Sequence, residues 1–256
     1  DLVRSRGLGD VYKRQPRLVI AGPVATRTLA LLGADVLRID PPGLPEIGWQ
    51  HLETGHGKRS ALLDLADPAD RMRFDALLAD ADVIALGYRR AGLDQLGLSA
   101  AALARRRPGI VVVQHTAWDD PDRRGFDSVV QAGCGISWIE SAEPGRPGAM
   151  PAQALDHSAG YLLAAAAMDA LARRAEEGGS WAIETSLRRV AAELLGMPRT
   201  EQPAPGPMIA DATGHTQAFA VDGREVVTAA PAIAYAGGPT AFGAPRPWGR
   251  DAAAWA

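Results

Sequence analysis

Three short segments hold the residues whose types and spacing could do chemistry. The first, Gly55-His56-Gly57-Lys58-Arg59-Ser60, places one of only two lysines, against 25 arginines, between glycines and polar groups. An ammonium kept at such a turn suits phosphate binding, with Arg59 as a fork beside a point charge. Without that scarcity the turn reads as an exposed basic loop. A Walker loop is excluded, because Arg59 stands where Ser or Thr would bind magnesium. In the second, Arg123-Arg124-Gly125-Phe126-Asp127, two cations and a carboxylate open a helix after an apolar strand, where ligands bind in an open parallel sheet. The third is Asp156, set ahead of HSAGYLLAAAAMDALARR where a helix N-cap belongs. Most such residues only cap, and replacement by Ala then costs about 1 kcal/mol. The same geometry also stabilises an ionised carboxylate that must attack as a nucleophile.

The elements that must position these residues alternate along the chain. Strands are predicted at 17–21, 36–39, 61–65, 82–86, 109–114 and 181–185. Helices are predicted at 24–32, 68–78, 93–106 (one or two), 125–134, from Asp156 to Gly178, and at 187–195. This order implies right-handed crossovers and a Rossmann-like open, mainly parallel α/β sheet with helices on both faces. A short C-terminal hairpin turning at Asp222-Gly223, with a Pro/Gly-rich tail, completes the chain. The expected organisation is a leader at 1–15, a large domain at 16–196, a linker at 197–214, and the hairpin and tail at 215–256. The leader, DLVRSRGLGDVYKRQ, reads as non-native and poorly ordered.

The 256 residues carry a net charge of -3 with 22% charged residues, so nucleic acid or anionic lipid is not attracted in bulk. No apolar run is long enough to span a bilayer. The single cysteine, Cys134, excludes an intrachain disulfide, and a cytoplasmic location is expected. The five histidines show no paired metal-ligand spacing, so no metal is expected.

Beyond these readings, the chain resembles the CaiB/BaiF family, the class III coenzyme A transferases. The resemblance rests on RLVIAGPVATRTLALLGADVLRIDPPG, GKRSALLDL, ADVIALGYRRAGLDQLGL, RRPGIVVV, RRGFDSVVQAGCGI and ALDHSAGYLLAAAAMDALARR, in that order from Arg17 onward. It implies a CoA-binding large domain whose nucleophilic aspartate falls on Asp156, with a second acidic residue of the site on Asp127. It places the CoA contacts on Ile20, Ala21, His56, Lys58, Gly87, Tyr88, Arg89 and Arg124. It also implies an acyl-CoA and a carboxylic acid acceptor as substrates, and a homodimer or a partner chain.

Two departures from the family pattern stand out. Trp118-Asp119-Asp120-Pro121-Asp122 replaces a Gly-Pro loop, and its three carboxylates are expected to repel a nucleotide. About twenty residues after Leu195 stand where family members carry a small domain. These departures support an alternative, a non-catalytic CoA-binding or dimerisation half of a larger protein. Acyl-CoA racemisation is disfavoured, because Phe126 stands where the racemase branch has its histidine base. The tail, with Ala229 to Ala236, Phe242, Trp248 and Trp255, is expected to expose apolar surface and drive self-association.

Overall fold

The computed structural model describes residues 6–9 (backbone only), 20–87, 90–198 and 211–256. Six strands form one parallel sheet: β1 (Arg6–Gly9), β2 (Asp35–Asp40), β3 (Arg59–Leu62), β4 (Val83–Leu86), β5 (Val111–Thr116) and β6 (Trp181–Ser186), in the order β3-β2-β1-β4-β5-β6. This is the doubly wound order of dinucleotide-binding folds, as the sequence predicts. The crossovers are made by α1 (Ala21–Leu31), α2 (Gly48–Thr54), α3 (Pro68–Ala79), α4 (Arg90–Gln95), α5 (Ala100–Arg106), α6 (Asp127–Gly133), α7 (Ile136–Ile139) and α8 (Ala154–Glu177). After β6 come α9 (Leu187–Gly196) and a hairpin of β7 (Thr216–Val221) and β8 (Arg224–Ala229).

Strand periodicity sorts the core into two layers. Leu37, Ile39, Ile84 and Val112 face Phe74, Leu77, Leu93 and Leu103 of α3 to α5. The neighbours Val36, Val83, Val111 and Val113 face Ala25 and Leu29 of α1 and Leu163, Ala167 and Leu171 of α8. Adjacent residues point to opposite faces, so continuous Val/Ile/Leu runs fit a sheet covered on both sides. Small residues let α8 lie close against α1. A Cβ at Gly160 would come within 2.6 Å of Val24 Cγ1 and 2.8 Å of the Ala21 carbonyl oxygen. Asp67 caps α3 by accepting from Ala69 N and Asp70 N, with Pro68 in the first turn.

The structure corrects three expectations. Of the strand expected at 17–21, residues 17–19 lie outside the described residues and Ala21 begins α1, while Arg6–Gly9 of the expected leader pairs with both β2 and β4. Position decides here, because a parallel sheet with β2 and β4 flanking a gap must fill it with backbone. Asp156 is not an N-cap. Gln153 caps α8 and Asp156 is the third helical residue.

The tail, the third correction, does not expose the apolar surface expected at Phe242, Trp248 and Trp255, whereas much of 229–236, with Tyr235 at 56%, stays exposed as expected. It runs along β3, where Asp251 N and Gly249 N donate to Ser60 O and Oγ, and Ser60 N donates to Asp251 Oδ2 at 2.8 Å. Trp248 Nε1 donates to Asp40 Oδ2 at 2.9 Å, and Trp255 packs on the core while donating to Leu77 O at 3.1 Å. An open edge strand is thereby covered, which removes a pairing hazard. The expected linker falls largely on 199–210, outside the described residues. The hairpin turns at Asp222-Gly223 as predicted, with φ of 48° and 73°.

Candidate active site

Each crossover helix feeds the amino end of the next strand, so its own N-terminus lies at the carboxyl edge of the sheet. The first turns of α1 and α8 meet there, held close by Gly160. The Ala21 backbone N–H lies close enough to the buried Asp156 carboxylate to favour its ionised form. The Asp156 N–H donates at 3.0 Å to Oδ2 of Asp127, which is wholly buried at the start of α6. The other Asp127 oxygen accepts from Gln131 Nε2, one turn later on α6. Gln131 Oε1 in turn accepts from Met150 N at 2.9 Å. Between Met150 and α8, Ala152 and Gln153 both adopt positive φ, 57° and 52°, which non-glycine residues rarely hold.

Burial, reinforced by the charge of Asp127, pushes the Asp156 carboxyl up to about 7, against the single Ala21 amide that lowers it. This reverses the electrostatic expectation from the sequence, in which the helix dipole favoured the ionised form. Desolvation outweighs one amide and a dipole end. The consequence is chemical: once ionised, Asp156 is a stronger base and nucleophile than an ordinary aspartate.

The remaining sequence candidates lie at varied distances from this centre. Ile20 precedes α1, and Ala21 supplies that amide. Lys58 is buried under α1, its Nζ donating to Pro23 O at 2.9 Å and to Thr26 Oγ1 at 2.6 Å. Lys58 thus fastens the helix turn that carries Ala21. His56 is fully buried, hydrogen-bonded with Thr228 Oγ1 at 2.9 Å and stacked on Phe242 at 4.9 Å. Burial, with Arg27 beside it, brings its pKa down to about 4. Gly87 follows β4, and Arg124 is exposed in the loop before α6. Both belong to the same sheet edge. Tyr88 and Arg89 lie outside the described residues.

The acidic loop is less repulsive than its composition implies. Asp119 pairs with Arg188 at 2.8 Å and accepts from Ser186 Oγ, while Asp122 accepts the Ala91 N–H at 3.1 Å. Trp118 is a pillar of the cluster linking α6 to α9, and Gly125 and Gly133 are the space it needs: a Cβ on either would come within 2.5 Å of the indole. Sequence reasoning missed Gln131, and it missed Arg27 and Glu53, which pair beside His157. The spacing of Asp127 and Gln131, one turn apart, was the available signal for the first. Among the described residues no cluster of His, Cys, Asp and Glu is arranged to hold a metal ion, and no helix is long and apolar enough to cross a membrane.

Comparison with known proteins places the chain in a family. A probable fatty acyl-CoA transferase of Mycobacterium tuberculosis, Rv3272, is 28% identical over 73% of this chain and 54% of its own length. Its crystal structure superposes with a TM-score of 0.66 over 74% of this chain and 54% of that one. An acetyl-coenzyme A transferase of Hypoxylon pulicicidum is 33% identical over 66% of this chain and 30% of its own length. A CAIB/BAIF family protein from Brucella suis, at 22% identity and TM-score 0.66, shares the fold over 88% of this chain and 64% of its own. The chain spans about half the length of the Mycobacterium relative, or less for others. The family profile of CoA-transferase family III matches residues 16–237, which takes in β2 to β6, the Asp127–Asp156 pair and the hairpin; the chain belongs to that family.

Proposed function

We propose that this chain carries the nucleophile and CoA-binding elements of a transferase that moves coenzyme A from an acyl-CoA to a carboxylic acid. The observation that supports this best is the Asp156 carboxylate, buried, raised in basicity and set against the amide at the start of α1. In the proposed sequence a carboxylate oxygen of Asp156 attacks the thioester carbonyl carbon, the C–S bond breaks, and the CoA thiolate leaves a mixed anhydride. The thiolate then attacks the aspartyl carbonyl, releasing the donor acid and leaving an aspartyl-CoA thioester. An acceptor carboxylate repeats the exchange and departs as the new acyl-CoA, which regenerates Asp156. No proton need be added or removed overall.

The named relatives include a formyl-CoA:oxalate and a succinate–glutarate CoA-transferase, so small mono- and dicarboxylic acids are the acceptor class to test. Ile20, Ala21 and Gly87 offer backbone to the CoA chain, and the exposed Arg124, with Tyr88 and Arg89, is assigned to its nucleotide end. Lys58 acts from beneath by fixing the first turn of α1, while His56 packs against the hairpin and tail. Phe126, 52% exposed, supplies no base beside Asp127, which favours transfer over racemisation. The test is CoA transfer between acyl-CoA and free-acid pairs by the wild type and Asp156→Asn. Loss in the variant alone supports the assignment, and equal rates overturn it.

A further inference from the structure

We infer that Gln131 is a positioning residue for Asp156, setting both the place of its backbone and the charge beside it. The inference rests on the reading of Asp156 as nucleophile. Gln131 is 3% exposed, and both ends of its amide are committed. The orientation is fixed chemically, because the NH2 end must face the Asp127 carboxylate and the carbonyl must face the Met150 N–H. The two backbone anchors that bracket the strained pair Ala152-Gln153 are Met150 N and Asp156 N, and both are held through Gln131 and Asp127. Strained backbone persists only where its surroundings over-determine it. One glutamine therefore supports both ends of the turn that delivers the nucleophile. Its donation also holds in place the Asp127 carboxylate, whose charge adds to burial in raising the Asp156 pKa. The other charged groups around the first turn of α8 are Arg27 of α1 and Glu53 of α2, paired with each other, and His157 of α8, which burial keeps neutral.

A buried scaffold and a positioning residue predict different outcomes. Gln131→Leu keeps the volume and removes both hydrogen bonds. Gln131→Glu keeps the acceptor for Met150, and only its protonated form can replace the donor to Asp127. Two measurements on the purified chain separate the possibilities: the titration midpoint of Asp156 by carbon NMR with labelled aspartate, and the single-turnover rate of adduct formation with acetyl-CoA from pH 6 to 9. In the Leu variant the Asp156 midpoint should move away from its wild-type value, and adduct formation should fall about 10- to 100-fold, with CoA affinity within about twofold by calorimetry. The Gln131→Glu variant should approach the wild-type rate at pH 6 and lose about tenfold or more by pH 9, as the introduced carboxyl ionises against Asp127. An unchanged midpoint in both folded variants overturns the inference. If midpoints move as expected but the wild type forms no adduct with acetyl-CoA or with several other acyl-CoA donors, the positioning role stands and the transferase reading falls. If the Leu variant does not fold, the pH dependence of Gln131→Glu decides alone, and a flat ratio to wild type overturns the proposal.

Discussion

At Asp156, stability and reactivity should respond to pH in opposite directions. Its folded pKa is raised to about 7 from 3.8, so between those values the folded chain holds a proton that the unfolded chain has released. The resulting stabilisation is complete below about pH 4 and is lost as pH rises through about 7. Asp156→Asn removes the charge and no cap, since Gln153 holds that position. The variant should therefore gain on the wild type as pH rises from 5 to 8, by about 1–3 kcal/mol. Thermal unfolding at the two pH values measures this, and a variant that gains nothing between them would contradict it. His56 runs the other way. A depressed pKa makes its contribution full above about 6.5 and lost as pH falls through about 4, so the hairpin and tail packed on it should loosen in acid, seen as Trp248 emission shifting to the red before global unfolding.

At the scale of elements, the contact between α1 and α8 places the nucleophile, and at Gly160 it leaves no room for a side chain. Gly160→Val should push Val24 and the Ala21 carbonyl away, cost about 1–3 kcal/mol, and separate Ala21 N from Asp156, so adduct formation falls more than stability does. Denaturant unfolding beside single-turnover rates checks it, and a variant with wild-type rates would remove α1 from the site. The alternating apolar runs made β2, β4, β5, β6 and the α8 helix legible, and the Asp222-Gly223 dipeptide made the hairpin legible. The central strand was not, because RGLG has no strand pattern of its own and takes its place from its neighbours. Nor was the tail, whose pairing with Ser60, Asp40 and Leu77 spans about 180 residues or more of sequence that no local pattern connects. In the candidate site, Asp127 and Asp156 were legible as types at helix starts. Lys58 was legible as unusual but not as buried, because its acceptors lie on α1, 32 and 35 positions upstream.

For the whole molecule, the sheet is closed at β3 by its own tail, yet large apolar side chains stay exposed elsewhere: Trp49 at 71%, Trp138 at 65% and Leu162 at 55%. We propose that these belong to an interface between chains, and light scattering at micromolar concentration should show a species larger than 26.9 kDa; a stable monomer would contradict that. The central claim is narrower and does not depend on assembly: a carboxylate buried at the junction of two helix starts exchanges its oxygen bond for one to CoA. Its most direct measurement is peptide mass spectrometry after incubation with acetyl-CoA, followed by hydroxylamine, which converts an aspartyl thioester to a hydroxamate. The hydroxamate is expected on the peptide containing Asp156 and is expected to be absent in Asp156→Asn. A modification elsewhere, or none across several acyl-CoA donors, would contradict it.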